Sequence, residues 1–239
     1  MIALHGALGI PQDWEPVMNY VADEVEMVDL YGAIDEGVES FEEFPHWLTG
    51  KVPASDEFED VMVGYSLGGR LALHSMLFEP DRWQKSVIVS AHPGLENPAE
   101  QQARCEVDEA WAQKFADTSR PWREVLTEWN SQPLFAGRGE EWIERRVADE
   151  DKREVIAKGA RIWSLGRQQS LWGEMRNWPH NVLWIAGGLD EKFVKLSRRA
   201  SAECPYGMIK VLPETGHRVP FEEPKAFIEA IYAWAMRCS

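Results

Sequence analysis

The decapeptide Val61-Met62-Val63-Gly64-Tyr65-Ser66-Leu67-Gly68-Gly69-Arg70 constrains this chain more than any other stretch. An apolar run enters Gly-x-Ser-x-Gly, and Leu71-Ala72-Leu73-His74-Ser75-Met76 continues with small and aliphatic residues at helical spacing. The pattern predicts a serine on a strained turn between a buried strand and a helix, a nucleophile elbow. Gly64 and Gly68 suit that turn because a larger residue would clash where strand and helix meet. Ser66 then stands clear of the backbone, and the Leu67 N–H points toward a reacting oxygen at the helix N-terminus. A Gly/Ser-rich turn without chemistry has the same short signature, so the meaning of the elbow depends on the rest of the chain.

With 239 residues, the chain suits one large α/β domain or a core domain with an insertion. Its 44% apolar content and 12 tryptophans are enough to fill a core, which excludes a disordered chain. Cys105, Cys204 and Cys238 have neither metal-ligand spacing nor a disulfide framework, so a reducing, cytoplasmic setting is expected. No apolar run reaches membrane-spanning length, and the Met-Ile-Ala-Leu-His-Gly start lacks the basic segment of a secretory leader. The formal charge of −15 argues against a nucleic-acid partner. A small anionic ligand remains compatible with it, provided arginines and lysines gather in one pocket. A monomer or a small homo-oligomer is equally compatible with these features.

Short apolar strands are predicted at Ile2–Leu4, Val25–Leu30, Asp60–Gly64, Ser86–Ser90, Val182–Ala186 and Met208–Leu212. Helical patterns alternate with them, which implies right-handed crossovers and a parallel, doubly wound sheet. Between residues 91 and 180 the rhythm changes. Amphipathic helical patterns at Ala99–Asp117, Trp122–Asn130, Glu140–Lys158 and Gln169–Arg176 replace strands, and tryptophans recur through them. This reads as a helical cap over a core formed by residues 1–90 and 181–239, able to exclude water from a site at the sheet rim.

His5, Ser66, Asp190 and His217 each follow a predicted strand, and reactive groups in such sheets collect at the carboxyl ends of strands. Ser, then Asp, then His is the chain order of a triad on this type of sheet. His217 would take the Ser66 proton, and Asp190 would fix the imidazole tautomer and stabilise imidazolium. Ala7, in the His5-Gly6-Ala7 loop, is the candidate for a second oxyanion donor beside Leu67, with His5 bracing that loop.

These features resemble the α/β-hydrolase superfamily over nearly the whole chain. Its members commonly carry two further strands before the His-Gly loop, so about six strands are expected here. Within the superfamily, four separated stretches resemble the 2-succinyl-6-hydroxy-2,4-cyclohexadiene-1-carboxylate synthases. These are Ala91-His92-Pro93-Gly94-Leu95-Glu96-Asn97 with Ala99, Glu100 and Arg104; Trp129 to Phe135; Gly166 to Trp172; and Asp190-Glu191-Lys192-Phe193, while Gly64 to Arg70 likewise matches that family's form of the elbow. The resemblance implies a lyase of menaquinone biosynthesis that eliminates pyruvate, with Ser66 as base and no metal or organic cofactor. It also implies a substrate with several carboxylates, met by Arg70, Arg104 and Lys192, with Tyr65 and Trp129 adding a hydroxyl and an aromatic wall. Arg167 is a further candidate contact. The chain departs from the family pattern at Ala7, Gln101 and Pro220. The rival expectations are a carboxylesterase or thioesterase on the same triad, and a non-catalytic binding member of the superfamily.

Overall fold

Strands this short gain stability only side by side, and the computed structural model, which describes residues 1–21, 24–54, 60–135 and 139–238, assembles them that way. The strands are β1 (Ile2–Leu4), β2 (Glu26–Val28), β3 (Val61–Tyr65), β4 (Lys85–Val89), β5 (Asn181–Gly187) and β6 (Tyr206–Leu212). They form a six-stranded sheet in the order β2-β1-β3-β4-β5-β6. Every pairing is parallel; Gly64 of β3 lies between Leu4 of β1 and Ile88 of β4.

Alternate side chains supply the two faces. Met62, Ile88 and Trp184 point into one apolar cluster, while Val63, Val87 and Leu183 point into the other. The Leu67–Phe78 and Glu43–Lys51 helices cover the first face through Leu71, Met76 and Phe44. The Pro224–Ala235 helix covers the second through Phe227 and Ile231. Burial on both faces explains why the strands read as unbroken apolar runs. The edge strands are the exceptions: β2 exposes Glu26, and β6 leaves Tyr206 and Ile209 exposed.

The segment between β4 and β5 contains helices Pro98–Ala116, Trp122–Asn130, Glu140–Val147, Arg153–Ile162 and Trp172–Met175. Two sequence expectations are corrected here. The Glu140–Lys158 pattern breaks into two helices around a 3-10 turn at Glu150–Lys152, where Lys152 N–H donates to Asp149 O at 3.0 Å, three residues back. The Gln169–Arg176 pattern yields only a short helix, because the chain before it bonds elsewhere: Gln168 Nε2 donates to His92 O at 3.0 Å and Leu171 N–H to Pro93 O at 2.8 Å. Among the described residues, no helix is long and apolar enough to cross a membrane.

Candidate active site

Ser66 occupies the turn between β3 and its helix with φ +52° and ψ −109°, a strained conformation for a residue with a side chain. Its surroundings allow no alternative. A Cβ on Gly64 would lie 2.5 Å from Gly68 O, and one on Gly68 would lie 2.3 Å from Leu4 O. The Ser66 N–H donates to Val89 O at 2.9 Å, anchoring the turn to β4. Among the described residues, neither the Leu67 nor the Ala7 backbone N–H donates to a protein acceptor, and both residues line the cavity that contains Ser66. Two free amides beside a serine can hold a developing oxyanion.

The loops after β5 and β6 bring up the other two expected residues. His217 Nδ1–H donates to Asp190 Oδ2 at 2.7 Å, and Ser66 Oγ–H lies 3.3 Å from His217 Nε2. Asp190 also caps the Glu191–Glu203 helix, accepting from Phe193 N–H through Oδ1 at 3.3 Å. The rings of Phe193, Tyr65 and Phe135 stand around the imidazole at 4.7, 5.6 and 5.9 Å. Burial among them pushes the His217 pKa below the usual histidine value, although the Asp190 carboxylate pulls the other way. A neutral, oriented imidazole can accept a proton from Ser66 and pass it on.

The loop carrying Ala7 is held from several sides. His5 is fully buried; its Nε2 accepts from Leu30 N–H at 3.1 Å, so its Nδ1–H donates to Gly6 O at 2.9 Å. His5 therefore braces the loop, as the sequence implied. The next residue with special geometry, Leu8, has φ +54°. Its N–H donates to Tyr31 Oη at 2.8 Å, while Arg146, from the inserted helices, donates to its carbonyl through Nε and to the buried Asp13 through Nη2. No local pattern marks Arg146, which lies far from Leu8 along the chain.

The expected anion-binding residues gather at the same cavity, lined by Arg70, Arg104, Lys192, Tyr65 and Trp129. Arg70 Nη1 donates to Trp163 O at 2.9 Å and lies 3.5 Å from Gln168 Oε1. No carboxylate pairs with Arg70 among the described residues; burial, and then Arg104, push its pKa down to about 9. Arg104 donates through Nε to both Asp108 oxygens at 2.9 Å. Lys192 is exposed at the rim. Trp129 belongs to an aromatic cluster with Trp111 and Phe115, yet its buried indole N–H has no partner among the described residues and its ring lines the cavity.

Other candidates fall elsewhere. Arg167 lines a separate surface groove beside Cys105 and Glu109. Gln101 donates to Leu95 O at 2.9 Å, bracing a turn, and Pro220 sits buried in the first turn of the Val219–Glu222 helix. Sequence reasoning missed Arg218, which also lines the cavity. Its Nη2 donates to Asn130 Oδ1 at 2.8 Å, and its guanidinium stacks on Phe135 and Trp142 at 4.2 and 4.5 Å, joining the β6 loop to the inserted helices. Position alone, directly after His217, could have drawn attention to it. Among the described residues, no group of three or more His, Cys, Asp or Glu side chains is placed to hold a metal ion.

Comparison with known proteins agrees with this architecture. The chain is 28% identical over 232 residues to the 2-succinyl-6-hydroxy-2,4-cyclohexadiene-1-carboxylate synthase of Enterobacter sp. (strain 638), covering 95% of this chain and 87% of that protein. The synthase of the same name from Yersinia pseudotuberculosis serotype O:1b (strain IP 31758) is 28% identical over 246 residues, covering 100% and 88%. Among solved structures, MenH from S. aureus matches with a TM-score of 0.88 at 23% identity, over 99% of this chain and 92% of that one. A thermophilic esterase from Thermogutta terrifontis matches with a TM-score of 0.71 at 17% identity, over 99% and 89%. The fold therefore carries more than one chemistry. A model of the alpha/beta hydrolase family matches residues 1–230, and the chain belongs to that family.

Proposed function

We propose that this protein is a 2-succinyl-6-hydroxy-2,4-cyclohexadiene-1-carboxylate synthase, a lyase of menaquinone biosynthesis. It would eliminate pyruvate from 2-succinyl-5-enolpyruvyl-6-hydroxy-3-cyclohexene-1-carboxylate. The observation that carries the reading is the placement of Arg70, Arg104 and Lys192 around one cavity with the Ser66–His217–Asp190 hydrogen-bond line. A chain with a formal charge of −15 gathers cations there, which favours a substrate with several carboxylates over a neutral ester. The relatives named above support the same reaction.

In this reading Ser66 gives its proton to His217 and abstracts a proton from the substrate ring. Asp190 stabilises the resulting imidazolium. The charge that develops on the substrate oxygen is held by the Ala7 and Leu67 amides. The electron pair left on the ring then forms the new double bond as the ring carbon–oxygen bond breaks. Pyruvate departs as its enolate, and the proton held by the enzyme is returned to it. No acyl-enzyme forms. The segment from 91 to 180 serves as the cap, supplying Arg104 and Trp129 from above.

Pyruvate release from the cyclohexene substrate, measured beside hydrolysis of a p-nitrophenyl ester, tests the reading. Rapid pyruvate release abolished by Ser66→Ala is the expected result. Strong ester turnover without pyruvate would replace the lyase with a serine esterase.

A further inference from the structure

We propose that His92 is a further substrate-binding residue, donating a hydrogen bond from Nε2–H to a carboxylate oxygen of the substrate. The proposal rests on the reading of this cavity as the site of a polyanionic substrate.

His92 lies three residues beyond the end of β4 and lines the cavity with Ser66, Arg70, Arg104 and Lys192. Its tautomer is set by its neighbours. The Gly94 N–H donates to Nδ1 at 3.0 Å, so Nδ1 is the acceptor and the ring hydrogen resides on Nε2. Among the described residues, Nε2 has no protein partner. An N–H donor that faces a cavity and lacks a protein acceptor is available to a ligand.

The turn that aims this ring is fixed with unusual completeness for a loop. Gly94 has φ +113°, and a Cβ there would meet Gln169 O and Ser170 Cα at 2.6 Å. The segment after Leu165 binds the turn at three successive residues. Gln168 Nε2 donates to His92 O at 3.0 Å, Leu171 N–H to Pro93 O at 2.8 Å, and Trp172 Nε1 to Gly94 O at 3.0 Å. Gln168 is buried, and its Oε1 lies 3.5 Å from Arg70 Nη1, so one amide positions both His92 and the cation beside it. A ring so placed loses little rotational freedom when a ligand binds.

Its charge state fits a donor that adds direction without adding charge. Burial, reinforced by Lys192, Arg70, Arg104 and Arg199, pushes the His92 pKa down to about 4. The surrounding cations neutralise carboxylates, and the neutral imidazole supplies an oriented hydrogen bond to one of them.

Two substitutions separate this role from bracing the turn. His92→Gln places an amide N–H near the Nε2 position, whereas His92→Asn keeps an acceptor for Gly94 N–H and loses the Nε2 donor. The readouts are KM and kcat for pyruvate release, and the Kd of succinate measured by calorimetry. His92→Asn is expected to raise KM and the succinate Kd about tenfold, the loss of one hydrogen bond to a charged group, with kcat within about twofold. His92→Gln is expected to stay within about threefold of wild type. The opposite order, with Asn restoring function and Gln failing, would reduce His92 to a brace and overturn the proposal. Equal values for all three proteins would overturn it too, as would an absence of saturable succinate binding by the wild type. A wild-type enzyme that binds succinate and releases no pyruvate would remove the lyase reading alone, with the Kd series still deciding the role of His92.

Discussion

Arg104 is held to Asp108 side-on: Nε lies 2.9 Å from both carboxylate oxygens, and the terminal nitrogens have no acceptor among the described residues. Asp108 is itself fixed by Ser164 Oγ at 2.7 Å and Leu165 N–H at 3.2 Å. The arginine is therefore held in one orientation, and under the proposed function its outer edge is available to a substrate carboxylate. Asp108→Asn keeps the volume and gives up the ion pair. It is expected to cost on the order of 1–2 kcal/mol in kcat/KM, mostly through KM, because Arg104 loses its fixed orientation. Steady-state pyruvate release checks this; an unchanged KM would show that Arg104 needs no such anchoring.

Arg70 differs in having no carboxylate partner at all among the described residues. Its hydrogen bonds go to neutral oxygens of Trp163 and Gln168, leaving its charge uncompensated beside the cavity. Arg70→Ala should lower kcat/KM by about 2 kcal/mol or more, since a substrate carboxylate would lose a charged partner. Arg70→Lys should recover little, because an ammonium lacks the planar fork needed to hold Trp163 O and a substrate together. A lysine variant close to wild type would show that charge alone matters at this position.

The elbow, the positions of the strands and the Ser-Asp-His chain order are legible because each depends on short stretches of neighbouring residues. Gly64 and Gly68 are required by close approaches that the Gly-x-Ser-x-Gly spacing already signals. The helix Leu30–Asp35 was harder: Val25–Leu30 read as strand, yet Asp29 accepts from Tyr31 N–H and turns the chain after Val28. The supporting shell was not legible. Gln168 holds Arg70 and His92 together, and Arg146 reaches Leu8, through contacts between residues far apart in sequence that no local pattern records. Local pattern marks Ser66, Arg70 and His217, which line the cavity, and leaves out Arg218, Gln168 and Arg146, whose places depend on distant contacts.

The buried imidazole of His217 makes a prediction about pH. Its pKa lies below the ordinary histidine value, chiefly through burial, and it must be neutral to accept the Ser66 proton. The acid limb of kcat/KM should therefore fall below pH 6.5, the usual histidine value, with activity retained above it. Asp190→Asn should remove activity by about 10⁴-fold while leaving the fold intact, as loss of the orienting carboxylate does in other triads. An acid limb well above 6.5 would mean that a different group controls the rate.

His74 links pH to stability instead of rate. It is buried, stacks on Phe41 at 4.9 Å, and its Nε2 has no partner among the described residues. Burial holds its pKa near 4 against an ordinary 6.5. Below 6.5 the unfolded chain takes up a proton that the folded chain refuses. This stability is thus complete above pH 6.5 and lost as the pH falls toward 4. The full loss is roughly 3 kcal/mol for this one group. Urea unfolding of wild type and His74→Leu across this range should show a shallower pH slope in the variant. Parallel slopes would place the titration in other groups.

The Arg146–Asp13 pair ties the inserted helices to the loop that carries Ala7. Both side chains are buried, and Arg146 also donates to Leu8 O, whose residue has φ +54°. Removing one partner leaves the other charge without compensation in the interior, so Arg146→Leu or Asp13→Leu should each cost about 3–5 kcal/mol. The double variant should recover part of that loss, because no buried charge is then stranded. Activity should not recover with it. Leu8 O still lacks its donor, and the Ala7 amide loses its fixed direction beside Ser66. Chemical denaturation and pyruvate release, measured on all four proteins of the cycle, separate the two effects. If stability and kcat return together in the double variant, Arg146 serves the fold alone and has no part in aiming the Ala7 loop.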